Sequence, residues 1–174
     1  VPHDVKGLAR LMGGPKRFVN NLQRIFDDGN YDPANEPDIA YPYLFSYFKG
    51  EEWRTQLLTR QCLDRYFHNA PNGIPGNDDT GTMSAWAVFS MMGIYPDNPA
   101  DASYTITTPV FDKVTIRLEQ PVNGHDHLVI EAPGAADNTR IKGITVGGRP
   151  YKSFRISHND LLRNGGFKLR LGKM

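Results

Sequence analysis

The stretch GIPGNDDTGTMSAWAVFSMMGIY, residues 73–95, changes character halfway along its length. Its first part is rich in glycine and proline, which suit a loop better than a helix or strand. Two adjacent acids, Asp78 and Asp79, lie in that loop directly after Asn77. Residues 83–92 are almost wholly apolar, and a helix that is apolar all round is typically buried. The stretch therefore predicts two carboxylates at the N-terminus of a buried helix, where the helix dipole favours ionised acids.

The residue types allow two interpretations of this acidic pair. Carboxylates anchored on a short loop suit a general base or a cation ligand. Aspartates before a helix also commonly form caps and turns. An EF-hand calcium loop is excluded because no Glu follows at the twelfth position. An aspartyl phosphotransfer loop is excluded because no apolar strand leads into the acids.

Upstream of this stretch the apolar residues recur at helical spacing. Asp4 is a plausible N-cap for a short helix, and Pro15 suits the first turn of a second helix. Residues 51–68 predict a long amphipathic helix, on which Cys62 is a small buried hydrophobe rather than a nucleophile. Gly93 is expected to end the apolar helix.

After Pro99 the sequence alternates with period two, as half-buried strands do. We expect a hairpin turn at Gly147–Gly148, and we expect His125 and His127 to be surface residues because no third metal ligand is visible. The predicted strands cover residues 103–108, 113–118, 127–131, 141–146, 151–156 and 167–171. The fold class is therefore predicted as α+β, with a helical part over residues 1–98 and a C-terminal antiparallel β-sheet or sandwich over residues 99–174.

Composition and charge exclude several classes of function. The 20 Lys and Arg residues nearly balance 19 Asp and Glu residues, and no long basic run suggests nucleic acid as a partner. No apolar stretch reaches the roughly 20 residues that a membrane span needs. One cysteine excludes an internal disulfide framework. The abrupt start at Val1, without a signal peptide, leads us to expect a fragment of a longer polypeptide.

Several motifs together resemble the C-terminal part of glycoside hydrolase family 92. They are GNDD at residues 76–79, MSAW at 83–86 and GIYP at 93–96. VPHDVKGL at residues 1–8, GGPKRF at 13–18 and NEP at 35–37 extend the resemblance over most of residues 1–96. The combination of GNDD with MSAW is a specific signal, whereas NEP alone is weak.

The resemblance implies a fold, a reaction and a cofactor. Members of the family are calcium-dependent, inverting exo-α-mannosidases, so the helices are expected to form part of an (α/α)6 barrel. Asp79 matches the general base, and Asn77 and Asp78 are expected to orient the water or tune the base. Asn35 and Glu36 match the element that we place at the sugar- and Ca²⁺-binding subsite.

The resemblance also implies what lies outside this chain. The general acid is expected in an upstream segment, and an N-terminal β-sandwich domain of the same polypeptide is expected to complete the cleft. Mannose-containing glycans are the expected substrates, in a periplasmic, cell-surface or secreted protein. A second hypothesis is a non-catalytic carbohydrate-binding or structural domain that retains the scaffold. Mannose release with and without a calcium chelator distinguishes the two hypotheses.

Overall fold

A computed structural model describes residues 2–98 and 100–174 of the chain; Pro99, where the sequence changes character, lies outside the described residues. Helices dominate up to residue 92 and strands follow. The α-helices are α1 (Val5–Leu11), α2 (Pro15–Asp27), α3 (Glu52–Tyr66), α4 (Thr82–Met92) and α5 (His158–Arg163), and 3-10 segments span Pro2–Asp4, Glu36–Asp38 and Tyr41–Tyr47. The strands are β1 (Ile94–Tyr95), β2 (Ser103–Ile106), β3 (Lys113–Val122), β4 (His125–Glu131), β5 (Arg140–Val146), β6 (Arg149–Tyr151), β7 (Arg155–Ser157) and β8 (Gly166–Gly172).

The helix starts follow the predicted capping chemistry. The Asp4 carboxylate accepts a hydrogen bond from the backbone N–H of Gly7 at 2.7 Å, which satisfies an amide that the first turn of α1 leaves unpaired. Pro15 occupies the first position of α2, where a missing N–H costs nothing. Cys62 is buried on α3, as expected. These helix predictions are confirmed.

Helix α4 differs from its prediction on one face. Met83, Trp86 and Ser90 are buried, but Ala85 is exposed and Val88 is 53% exposed. The helix packs against α3 and β1. The exposed face carries small or β-branched residues and no charged residue. The sequence therefore predicts burial all round, and this prediction is wrong for the exposed face.

The strands form two sheets rather than one. The smaller sheet has the order β1-β2-β7, and the larger has the order β3-β4-β8-β5-β6. All pairs are antiparallel except β4 and β8, which are parallel. The purely antiparallel prediction is wrong at this pair because the chain returns to β8 through three strands and α5, a connection long enough for a parallel crossover.

The β5–β6 hairpin and the segment after it show one correct and one incorrect prediction. Gly147 and Gly148 both have positive φ angles, 55° and 76°, and join β5 to β6 as expected. The strand predicted over residues 151–156 is divided: β6 ends at Tyr151 in the larger sheet, whereas β7 begins at Arg155 in the smaller one.

Helix α3 connects the helical part to the sheets. The side-chain oxygen of Gln56 accepts a hydrogen bond from the N–H of Ile141 in β5 at 2.8 Å. The Arg60 guanidinium donates to the carbonyls of Pro109 and Ala135 at 2.7 and 3.1 Å. Buried backbone groups of the β region are thus paired with side chains of α3. In the described part of the chain, no helix is both long and apolar enough to cross a membrane.

Candidate active site

Asp78 caps helix α4. Its carboxylate accepts hydrogen bonds from the N–H and the hydroxyl of Ser84 at 2.7 and 2.8 Å. Its carbonyl also accepts from the N–H of Met83 at 3.3 Å. The hydrogen bonds from Ser84 to the ionised form hold the pKa of the Asp78 carboxyl below its ordinary value. Both carboxylate oxygens of Asp78 are therefore engaged by the start of the helix.

Asp79 has a different environment. Asp79, Thr80 and Gly81 have φ angles of 43°, 61° and 89°, three successive left-handed residues. Such a conformation is rare for a β-branched residue and persists only when the surroundings hold it. Thr82 supports it, since its N–H and hydroxyl donate to the Asp79 carbonyl at 3.3 and 2.7 Å. The Asp79 side chain is exposed, and no group in the described part of the chain donates to its carboxylate.

Asn35 and Glu36 lie on a tight turn that a buried acid supports. The 3-10 segment begins at Glu36, and the N–H of Asp38 donates to the Asn35 carbonyl at 2.8 Å. The buried Asp38 carboxylate accepts from the Asn35 amide nitrogen and from the N–H of Asp32, both at 3.3 Å. The Asn35 amide therefore keeps its oxygen as a free acceptor, and the exposed Glu36 carboxylate lies beside it.

The Asn35–Glu36 turn and the acidic loop meet at one end of α4. A Cβ atom added to Gly76 would lie 2.7 Å from the Cβ of Ala34, so only glycine lets the two backbones approach this closely. The indole N–H of Trp86 donates to the carbonyl of Ile39 at 2.8 Å. Asn77 directly follows Gly76 and is exposed. The structure thus brings the two predicted segments together.

The cavity next to Glu36 is not lined by the acidic loop that carries Asp78 and Asp79. It has a volume of about 450 Å³, and its walls include Glu36, Tyr41, Tyr95 and Asp97. Residues 77–79 are not among the residues that line it. Glu36 and Asp79 are therefore on adjoining loops but do not share this cavity.

The described residues offer oxygen donors at the Asn35–Glu36 turn but no larger group of metal-ligating side chains. Ca²⁺ takes six to eight oxygen ligands. The residues that the structure describes contain no group of three or more His, Cys, Asp or Glu side chains that could hold a metal. Asn35 and Glu36 offer oxygen donors but too few on their own. His127 lies 2.6 Å from the Asp126 carboxylate, and it forms no such group with His125.

Sequence reasoning missed the residues that support the candidate site. Ser84 belongs to the MSAW motif, and its place in the first turn of α4 is where a preceding acid can pair with an amide. Asp38 lies three residues after Asn35, a spacing that suits a side-chain hydrogen bond across a turn. The apolar pattern predicts Trp86 as a core residue, but the partner of its N–H lies 47 positions away in the sequence.

Comparison with known proteins shows the family to which this chain belongs. The sequence model of the glycosyl hydrolase family 92 catalytic domain matches residues 1–173. The chain belongs to this family. It is 33% identical over 175 residues to an uncharacterized secreted glycosidase of Arthroderma benhamiae, an alignment that covers 99% of this chain and 22% of that protein. The resemblance found in the motifs is confirmed, and the chain corresponds to the C-terminal portion of the domain.

Two solved structures of the family are similar over the whole chain. One is a GH92 α-mannosidase from Bacteroides thetaiotaomicron, with a TM-score of 0.84, 32% identity and coverage of 98% of this chain and 23% of its own. The other is an inverting GH92 mannosidase from the same species, with a TM-score of 0.86, 29% identity and coverage of 100% and 26%. The chain therefore spans about a quarter of the length of the solved relatives.

Proposed function

We propose that this chain is part of a glycosidase that removes terminal α-linked mannose with inversion, with Asp79 as the general base. Inverting hydrolysis needs two carboxyl groups about 6.5–9.5 Å apart, one to protonate the leaving oxygen and one to activate water. The general acid comes from an upstream segment of the full-length protein. The solved relatives support the proposal, because both are described as mannosidases and one as inverting.

The contrast between the two adjacent acids carries the assignment of the base. A general base needs a lone pair that can reach a water molecule. Both Asp78 oxygens accept hydrogen bonds from Ser84, whereas the Asp79 carboxylate is exposed and has no donor in the described part of the chain. Asp78 therefore anchors the loop, Asn77 helps to orient the water, and Asp79 takes the proton.

The test uses the full-length protein and three variants. Asp79→Asn is expected to lower kcat by about 10²- to 10⁴-fold, because general base catalysis contributes about that much. Asp137→Asn, which changes an exposed acid after β4, is the control and should retain activity. Asp78→Asn should lower kcat less than Asp79→Asn, since it weakens an anchor rather than removing the base. Near-normal kcat in Asp79→Asn would refute the assignment.

Product stereochemistry tests the reaction type independently. An NMR time course of mannose release should show the β-anomer first, because inversion at an α-linkage gives a β-product. Initial release of the α-anomer would overturn the inverting mechanism and leave the base assignment without its basis. Absence of any mannose release by the full-length protein would favour the non-catalytic carbohydrate-binding alternative.

The proposal extends to the cofactor and to the rest of the polypeptide. Asn35 and Glu36 contribute oxygen donors at the sugar subsite, and Ca²⁺ binding there requires further oxygens from water or from other segments. Residues 1–98 belong to an (α/α)6 barrel, residues 99–174 form the β region, and an N-terminal β-sandwich completes the cleft. Location outside the cytoplasm is supported by the relative named a secreted glycosidase. Cell fractionation tests the location, and chelation of Ca²⁺ from the purified full-length protein tests the cofactor.

A further inference from the structure

We propose that Trp86 is a positioning residue for the Asn35–Glu36 turn. The hydrogen bond that its indole N–H donates to the carbonyl of Ile39 fixes that turn relative to the loop that carries Asp79. The proposal rests on the function proposed above, since it assigns the residue that holds the sugar subsite at a fixed position relative to the general base.

Helix α4 is the common support of both segments. In its first turn, Ser84 binds the Asp78 carboxylate at 2.7 and 2.8 Å through its N–H and hydroxyl. Two residues further on, Trp86 binds the carbonyl of Ile39 at 2.8 Å. One rigid helical segment therefore holds both candidate loops, and the distance between the loops depends on that helix.

The Trp86 ring is itself fixed. It is 1% exposed. Phe67 stacks on it with the ring centroids 5.3 Å apart and the planes 10° from parallel, and Tyr43 packs against it edge-on at 6.1 Å. A ring held by its neighbours cannot turn its N–H away from the Ile39 carbonyl. The direction of this hydrogen bond is therefore set by the core.

The turn needs such an external support. Residues 34–37 are exposed, and the side-chain support from within the turn is the hydrogen bond from the Asn35 amide to the buried Asp38 carboxylate at 3.3 Å. Its internal hydrogen bonds are short-range, from the N–H of Ile39 to the Glu36 carbonyl at 3.2 Å and from the N–H of Asp38 to the Asn35 carbonyl at 2.8 Å. Short 3-10 turns have poorer hydrogen-bond geometry than α-helices and are easily displaced. The bond from Trp86 joins the end of this turn to the core.

The chain offers a matched control for the loss of this bond. The Tyr43 hydroxyl hydrogen-bonds to the Ser90 hydroxyl at 2.5 Å. This bond also joins the segment after Asn35 to α4, but it does not involve the Asn35–Glu36 turn. Trp86→Phe and Tyr43→Phe each remove one side-chain hydrogen bond between the same two segments, the first part-buried and the second buried. Only Trp86→Phe frees the Ile39 carbonyl.

The experiment compares both variants in the full-length protein, well below their melting temperatures. Trp86→Phe should raise KM for an aryl α-mannoside by about 3- to 10-fold, the loss expected for one hydrogen bond, with a smaller change in kcat. Amide hydrogen exchange at Asp38 and Ile39 should be about tenfold faster. Tyr43→Phe should change neither KM nor exchange at these two amides. A rise in KM as large in Tyr43→Phe, or unchanged exchange in Trp86→Phe, would overturn the positioning role.

Failure of the positioning role of Trp86 and failure of the proposed function give different experimental results. If the full-length protein cleaves no α-mannoside, the proposed function fails, and the exchange comparison still decides whether Trp86 holds the turn. If the wild type is active and Trp86→Phe has normal KM, the positioning role of Trp86 is wrong, while the assignment of Asp79 as the base stands. A Trp86→Phe protein that does not fold is replaced by one with 3-benzothienylalanine at this position, which keeps the ring size and removes the N–H donor.

Discussion

At the scale of single residues, the acidic loop shows how one helix start gives two neighbouring acids different properties. The first turn of a helix has unpaired N–H groups that attract a carboxylate. Asp78 supplies it and becomes fixed through Ser84. Asp79 follows in a left-handed conformation, and no group in the described part of the chain donates to its carboxylate. Residue type does not separate the two acids, because both are aspartates in the same loop.

Loss of the charge on Asp78 should destabilise the chain in a pH-dependent way. The folded-state pKa of Asp78 is lowered, so its ionised form stabilises the fold above the unfolded pKa of about 4, and this contribution disappears as the pH falls through the folded pKa. Asp78→Asn should therefore lower the melting temperature most at pH 7. The difference from wild type should shrink as the pH falls below about 4 and through the folded pKa, because protonated Asp resembles Asn. A difference independent of pH would contradict this role.

Replacement of Glu36 should affect binding rather than proton transfer. Its carboxylate is exposed on the turn that adjoins the acidic loop and borders the 450 Å³ cavity. In the full-length protein, Glu36→Gln should raise KM or the Ca²⁺ concentration needed for half activity, with kcat changed less. Glu119→Gln, on the exposed strand β3, is the control. A large fall in kcat at unchanged KM would instead assign Glu36 to the chemistry.

At the scale of elements, α4 shows what an apolar pattern can and cannot predict. Its existence, its end at Gly93 and its buried Trp86 all followed from the sequence. Which side stays uncovered depends on what packs against it, and a helix without charged residues contains no marker for that side. The apolar pattern therefore predicted the element correctly and the exposure of Val88 incorrectly.

Truncations on the two faces of α4 should differ strongly. Trp86 is 1% exposed, and Trp86→Ala should cost about 3–5 kcal/mol of the free energy of unfolding, as large aromatic truncations in cores do. Val88 is 53% exposed, and Val88→Ala should change stability by about 0.5 kcal/mol or less. Urea denaturation of the two variants of the chain measures both values. Similar losses would mean that the two faces are equally buried.

The strands were easier to locate than to pair. Alternation fixes which residues are strand and which face they present, because the side-chain period is two. It does not fix the partner: the β4–β8 pairing is parallel and joins segments more than 30 residues apart. The contact between Gly76 and Ala34, and hence the meeting of the candidate loops, is long-range in the same sense. Such contacts depend on the packing of the whole chain and have no local signal.

At the scale of the whole molecule, a buried ion pair joins the helical and β parts. The Asp97 side chain is fully buried and receives hydrogen bonds from Arg155 at 3.0 and 3.1 Å. The Tyr47 and Thr105 hydroxyls each donate to it at 2.6 Å. Burial, and then the bond to Asp97, raise the pKa of Tyr47, so the phenol remains protonated as a donor. Three separate segments therefore converge on one carboxylate.

Removal of the cation from this cluster should be costly. Arg155→Met leaves the buried Asp97 charge unpaired, which typically costs about 3–5 kcal/mol. The double variant Asp97→Asn, Arg155→Met should lose less than the sum of the two single variants, because it removes both charges. Denaturant unfolding of the three variants gives the coupling energy. Additive losses would show that the pair contributes nothing beyond the two side chains separately.

The chain on its own should lack mannosidase activity. Inversion needs a general acid and a general base on opposite sides of the sugar. In the proposed mechanism Asp79 supplies one carboxyl group, and the acid of the adjoining turn, Glu36, borders a cavity that residues 77–79 do not line. The described residues also contain no group of three or more His, Cys, Asp or Glu side chains that could hold a metal ion, so calorimetry of the purified chain should detect no tight Ca²⁺ binding. Mannose release by the purified 174-residue chain would overturn this expectation and make Glu36 the leading candidate for the acid.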